Sequence, residues 1–197
     1  MRINIDHQRI WFASDYHFCH ANVIKYDGRP FNNVEEMNQT LIDNWNEVVG
    51  DDDVVFYLGD LSFEKNGVTT QHIVDQLKGK IHFILGNHDR EKDIRSLKRF
   101  ETISDYVSLS VTDHDNPRKK QGIVMMHYPI LSWDKHHHGE YMLHGHCHQS
   151  LVTLLPDYYK RKVLDLGCNG WGYAPISYNE IKSIMNSKVI ELIDHHG

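Results

Sequence analysis

Short apolar runs, each breaking off into polar residues, set the pattern of this chain. Ile10-Trp11-Phe12-Ala13 runs into Ser14-Asp15-Tyr16-His17, and Val54 to Leu58 runs into Gly59-Asp60. Ile81 to Leu85 ends in Gly86-Asn87-His88-Asp89, Ile123 to Met126 in His127, and Tyr141 to Leu143 in His144-Gly145-His146-Cys147-His148. Such runs, rich in branched and aromatic residues and too short for ordinary helices, read as buried strands. Glu35 to Val49 reads as a helix. Its apolar residues Met37, Leu41, Ile42, Trp45 and Val48 recur at steps of three and four, and Asn33 suits the N-cap. Thr70 to Leu77 and Asp93 to Phe100 read as further helices, the first stopped near Gly79. Residues 18–33 read as an irregular loop holding the turn signal Asp27-Gly28-Arg29-Pro30.

The later chain is mostly strands. Ile103 to Val111, Gly122 to His127, Leu151 to Leu155 and Val163 to Gly167 join Tyr141 to Leu143, with a polar loop from Asp113 to Lys120. Ser177 to Met185 reads as a final helix, Ser177 and Glu180 standing at capping-box spacing, and Val189 to Ile193 as a last strand. Alternating strands and helices followed by strands predict an α/β fold: two sheets packed face to face, flanked by helices. A chain of 197 residues with no repeat or linker suits one domain, residues 1–197.

Taken singly, Asp15 and Asp60 read as strand-end turn residues, His127 as a satisfied core histidine, and His146 and His148 as an exposed turn. Five such endings in one chain read differently: the strand ends converge on one site, where open α/β sheets bind ligands.

Composition narrows the classes. The formal net charge of -6 lowers the prospect of non-specific nucleic-acid binding, and Arg118-Lys119-Lys120 reads as an exposed loop. No apolar stretch approaches the roughly 20 residues needed to span a bilayer, and Met1 to Asp6 lacks the apolar region of a signal peptide. Cys19, Cys147 and Cys168 are too few and too odd in number for a disulfide framework. A soluble protein of a reducing cytoplasm is expected. The 16 histidines are the anomaly, some of them inert in the His136-His137-His138 run and at His195-His196.

Asp15, His17, Asp60, Asn87, His127, His146 and His148 offer oxygen and imidazole nitrogen without a thiolate cluster. Such mixed sets suit Mn, Fe, Zn, Co or Ni better than Mg or Ca. Seven ligands exceed the three that one catalytic zinc takes. They suffice for two ions, about 3.5–4 Å apart in two-metal hydrolytic sites, if a carboxylate bridges.

Asp15-x-His17, Gly59-Asp60, Gly86-Asn87-His88-Asp89, His127 and Gly145-His146-x-His148 resemble, in order, the five motifs of the calcineurin-like metallophosphoesterases. Phe18-x-His20-Ala21-Asn22-Val23-Ile24, Gly28-Arg29-Pro30-Phe31, His137-His138-Gly139 and Pro175-Ile176-Ser177 resemble more loosely a small single-domain prokaryotic and phage branch of that family. The resemblance implies two divalent transition ions, manganese first, with Fe, Zn, Ni or Co as alternatives. Asp15, His17 and His148 would bind the first ion, Asn87, His127 and His146 the second, and Asp60 would bridge. A hydroxide between the ions would attack phosphorus. His88 would face the scissile phosphate and stabilise charge or protonate the leaving oxygen, and Asp89 would hold His88 in orientation. His20, Asn22, Arg29, His137 and His138 are candidate substrate contacts. For Arg29 a surface ion pair competes with a phosphate fork, and for the histidines a solvated loop competes with a pocket wall.

The expected activity is hydrolysis of a phosphate ester, with a small nucleotide-like phosphodiester or phosphomonoester as partner and no membrane. The alternatives are a nuclease acting on single-stranded DNA or RNA, and a non-catalytic scaffold on the same fold. A scaffold tolerates loss of ligands or of His88, and all of these are present.

Overall fold

The computed structural model describes residues 9–64 and 67–191. The expectations for Met1 to Asp6, for His195-His196 and for the far end of the Val189–Ile193 stretch lie outside these residues. The first sheet contains β1 (Ile10–Ala13), β2 (Val54–Tyr57), β3 (Lys80–Ile84), β4 (Phe100–Ser104) and, from the end of the chain, β9 (Ile176–Ser177). The second contains β5 (Tyr106–Thr112), β6 (Lys120–Met126), β7 (Tyr141–His144) and β8 (Val163–Asp165). The helices are α1 (Ala21–Tyr26), α2 (Val34–Val48), α3 (Val68–Val74), α4 (Glu91–Ser96), α5 (Ser150–Leu154), α6 (Pro156–Lys160) and α7 (Tyr178–Asn186).

The strand orders are β4-β3-β2-β1-β9 and β5-β6-β7-β8. β1 to β4 run parallel and β9 antiparallel to β1. β6, β7 and β8 run parallel and β5 antiparallel to β6. The fold is thus α/β, two mixed sheets flanked by helices.

Strand residues alternate between two apolar layers, as a period of two requires. Ile10, Phe12, Phe56, Leu58 and Ile84 meet Leu109, Ile123, Met125, Leu143 and Leu164 between the sheets. Ala13, Val55, Tyr57, Ile81 and Phe83 face the other way, onto Met37, Leu41 and Trp45 of α2 and Ile73 of α3. Burial on both faces explains why these strands read as unbroken apolar runs. α2 begins as expected, the Asn33 carboxamide accepting the Glu36 N–H at 2.8 Å. On the far side Val124, Met142 and Val163 pack on Trp133 and Tyr159.

The structure corrects several element boundaries. Ile103 to Val111 is two strands in different sheets, parted at Asp105, where the chain crosses over. Leu151 to Leu155 is no strand: Leu151 to Leu154 lie in α5, where Leu154 is 70% exposed, and Pro156 starts a new helix, α6. The short apolar run had no sheet position to fill. The 18–33 loop contains α1, and the Asp93–Phe100 helix ends at Ser96 because Phe100 already begins β4. Among the described residues of the Val189–Ile193 stretch, Val189 makes an isolated bridge with Arg161 and no strand is formed.

The last helix is tied down by a buried carboxylate. Asp113 accepts from Tyr178 Oη at 2.7 Å and from Lys182 Nζ at 2.9 Å. Burial alone would raise its pKa, but Lys182, Tyr178 and the Asp115 N–H outweigh this and hold it at about 2. A folded-state pKa below the unfolded value of 3.8 gives stability that is present above that value and lost as pH falls toward 2. Asp113→Asn should therefore lower the melting temperature near pH 6, and its deficit should shrink on acidification. An undiminished deficit at pH 2 would contradict the assignment.

Candidate metal centre

The five polar endings lie at the carboxyl ends of β1, β2, β3, β6 and β7. Past β1 and β2 the two loops stay paired. The Asp15 N–H donates to the Gly59 carbonyl at 3.0 Å, the His17 N–H to Asp60 O at 3.1 Å, and the Phe18 N–H to Leu61 O at 2.8 Å. Past β6 and β7, within the second sheet, the Gly145 N–H donates to His127 O at 2.9 Å. The glycines permit this crowding. A Cβ on Gly86 would strike the Asp60 carboxylate and stand 2.5 Å from Asp60 N, and one on Gly145 would strike Ser14 Oγ and stand 2.5 Å from Asp15 Oδ2.

Two ligand groups result. Asp15, His17 and His148 form one, and Asp60, His127 and His146 the other, the ligating atoms within each group lying no more than 4.8 Å apart. Asn87 joins the second: its Oδ1 is 2.9 Å from His127 Nε2 and 2.7 Å from His146 Nδ1. Asp60 Oδ2 lies between the groups, 3.7 Å from His17 Nε2 and 3.6 Å from His127 Nε2. The structure thus brings together all seven candidate metal ligands.

Five of the seven have left-handed backbone: Asp15 (φ 59), His17 (φ 52), Asp60 (φ 58), His146 (φ 70) and His148 (φ 46). Outside glycine this conformation is uncommon and costs on the order of 1–3 kcal/mol, and it gathers at functional sites.

Hydrogen bonds behind the ligands fix their tautomers. His127 Nδ1 donates to the Leu58 carbonyl at 2.7 Å, leaving Nε2 to face Asn87 and Asp60. His148 Nδ1 donates to Asp27 Oδ2 at 2.7 Å, leaving Nε2 to face His17 and Asp15. Metal-binding histidines are commonly held by a carbonyl or carboxylate in this way. His148 Nε2 and His17 Nε2 stand 3.0 Å apart, and one proton at most fits between them. The carboxylates of Asp15 and Asp27 favour that proton on His148. Burial alone would lower its pKa, but Asp15 and Asp27 outweigh this and hold it at about 10. Burial pushes His17 down to about 3.

Burial likewise raises the Asp60 carboxyl, while Asp15, for which burial alone would do the same, is held below the usual range by its contacts with His148. A divalent cation in place of the shared proton would satisfy both nitrogens and Asp15. The donor set therefore fits metal ions. A third cluster, His144, Cys147 and Asp165, contrasts with it. There His144 already bonds Gly145 O and Tyr159 Oη, at 2.7 and 2.9 Å, and Asp165 accepts the Gln149 and Gly167 N–H groups. Cys147 groups with this brace and turns away from its neighbours' ligand sets.

Other expected residues fare differently. The His88 ring is exposed, with Phe63 at 4.5 Å and His17 at 5.8 Å between centroids, and its backbone N–H anchors Asp60 Oδ1 at 2.9 Å. Asp89 does not orient His88. Its carboxylate accepts the N–H groups of Asp60, Leu61 and Gly86 at 2.7, 3.0 and 2.8 Å, lacing the loops after β2 and β3 together.

Arg29 is neither a phosphate fork nor a surface ion pair. It is buried behind the site, donating to the Asp15 and Tyr16 carbonyls and to Asp27. His20 stacks on Phe63 at 3.8 Å and so flanks His88, whereas Asn22 is exposed on α1. His137 and His138 contact each other in a short turn, and His138 lines a different cavity, with Ser110, Arg118 and Glu140.

Sequence reasoning missed Asp27, Phe63 and Tyr128, whose ring lies 4.7 Å from that of His146. The only signals were an acid two residues before Arg29 and aromatics shortly after two ligands. Losing the Asp27 charge should matter at one group alone. Asp27→Asn is expected to weaken metal binding by the Asp15, His17 and His148 group about 10–100-fold and to spare the other. A calorimetric metal titration that found both sites unchanged would rule this out.

Fold and site together define a two-sheet α/β protein with paired Asp/His clusters at converging strand ends. The chain belongs to the family of the uncharacterized protein MJ1445 of Methanocaldococcus jannaschii, to which it is 38% identical over 190 residues, covering 95% of this chain and 97% of that protein. It is also 28% identical to the gene 66 protein of Mycobacterium phage L5, over 89% of this chain and 93% of the phage protein. The crystal structure of AQ665, a protein of unknown function from Aquifex aeolicus, has the same fold: TM-score 0.69 over 89% of this chain and 98% of that one, at 22% identity. No family model matches the chain. Among the described residues no helix is long and apolar enough to cross a membrane.

Proposed function

We propose that this protein is a dinuclear-metal-dependent phosphoesterase of the calcineurin-like kind, acting on a small nucleotide-like phosphodiester or phosphomonoester. The observation that carries the reading is Asp60 Oδ2, set between two ligand groups 3.7 and 3.6 Å from their histidines, with the exposed His88 alongside. Asp15, His17 and His148 would hold one ion, and Asn87, His127 and His146 the other, with Asp60 shared. Bound ions in such sites polarise the phosphoryl oxygens and supply an activated water.

The chain's own residues do the rest. The Asp89 carboxylate keeps the two ligand loops in register. His88, held in place by its backbone rather than its ring, is free to turn a ring nitrogen toward a departing oxygen and give it a proton. Tyr128 covers the His127 and His146 side.

The test is hydrolysis of phosphomonoesters, linear and cyclic nucleotides and short oligonucleotides by purified protein with Mn, Fe, Zn, Ni or Co. Metal-dependent turnover of small esters ahead of oligonucleotides is expected. Full metal occupancy with no turnover would favour the scaffold reading, and preferred cleavage of single strands would favour a nuclease.

A further inference from the structure

A cleft of about 610 Å³ is lined by His88, by residues of the loop after β2 such as Phe63, and by residues in and beside helix α4. Its lining includes the apolar Phe63, Ile94 and Leu97 and the charged Arg90 and Asp93. Phe63 is fixed, stacked on His20 at 3.8 Å and 12° and abutting His88 at 4.5 Å. Among the described residues neither the Arg90 guanidinium nor the Asp93 carboxylate has a hydrogen-bond or ion-pair partner. Their neighbours are committed: Arg95 to Glu91 at 2.6 Å, and Glu64 to the Thr69 and Thr70 amides.

We propose that this cleft binds the leaving half of the substrate, and that this half is a nucleoside whose base lies along Phe63 and is read at its edge by Asp93 and Arg90. The proposal rests on the phosphoesterase reading for the position of the scissile bond and adds what departs from it. Three features point to a base. His88, the residue that would meet the leaving oxygen, lines the cleft, so what fills it is the leaving group. A fixed aromatic ring with Ile94 and Leu97 suits a flat, largely apolar face, because every base presents a π-face for stacking. A free acceptor and a free donor in the same lining suit the donors and acceptors of a base edge. The cleft mixes Asp93 and Glu64 with Arg90, and such a rim suits one nucleoside better than the phosphates of a polynucleotide strand.

The experiment compares binding of AMP, GMP, CMP and UMP with that of ribose 5-phosphate, which carries the same phosphate and sugar without a base. Calorimetry on the full chain, with and without added manganese, gives the affinities. At least one nucleotide should bind about 10-fold more tightly than ribose 5-phosphate or better. That advantage should fall toward onefold in Phe63→Ala and in Asp93→Ala, persist in Phe63→Tyr, and be measured only on variants whose thermal melting shows a folded chain. Equal affinity for all five ligands, or an advantage that survives both alanine variants, would overturn the proposal. If no ester were hydrolysed while the base preference and its dependence on Phe63 held, the phosphoesterase reading would fail and the nucleoside cleft would stand. Hydrolysis without base preference would leave the reverse.

Discussion

Asp60→Asn is expected to cost the protein both metal ions and all measurable turnover. The substitution changes little in size but removes the charge that faces both ligand groups and replaces one carboxylate oxygen with an amide nitrogen, which donates hydrogen bonds and has no lone pair to give a cation. One oxygen of Asp60 already serves the His88 N–H at 2.9 Å, and the other faces His17 and His127. Whichever way the amide turns, one of these relations is lost. The loss of affinity should exceed the roughly 10–100-fold typical of a residue that merely supports a ligand, such as Asp27. Metal content of the purified variant by elemental analysis, beside its melting temperature, is the measurement. Two ions retained in a folded Asp60→Asn protein would end the bridging assignment.

His88→Ala should give the opposite pattern: both ions kept, turnover lost. The link from residue 88 to Asp60 runs through the backbone N–H, which alanine retains, and the ring bonds no ligand of either group. General acid catalysis contributes about 10²–10⁴-fold, so turnover of esters with poor leaving groups should fall by that factor. Esters whose leaving oxygen needs no proton should fall much less. His127→Ala serves as the contrast. It removes a buried ring that faces both Asn87 and Asp60, and should lose the second ion together with activity on every substrate. A metal lost from His88→Ala, or undiminished turnover across a leaving-group series, would remove His88 from the role of acid.

The convergence of the seven candidate positions was legible in the sequence for a physical reason. Strands buried on both faces read as apolar runs, so the polar residues that end them stand out, and the runs from Ile10, Val54, Ile81, Ile123 and Tyr141 all became strands. What supports these positions was not legible. Asp27 and Arg29 sit in a stretch that reads as a turn, and arginine is so seldom buried that its position beneath Asp15 and Tyr16 has no local signature. Asp89 was assigned to its chain neighbour His88, whereas its partners at Asp60 and Leu61 are distant in sequence. The α5 error has another origin. Five or so apolar residues carry too little periodicity to separate helix from strand, and only the available sheet positions decide.

The left-handed backbone at Asp15, His17, Asp60, His146 and His148 filters these positions a second time. Ligand chemistry alone would admit glutamate or cysteine at several of them. The backbone favours asparagine, aspartate and histidine, which enter this conformation several-fold more often than other side chains. A glutamate at position 15 or 60 would bring a longer reach and a less tolerant backbone at once. The range of substitutions open to the centre is therefore narrower than its coordination chemistry. On the proposed reading, a shift in metal preference is better sought in residues such as Asp27 or Tyr128, which lean on the candidate ligands from ordinary backbone, than by exchanging those residues themselves.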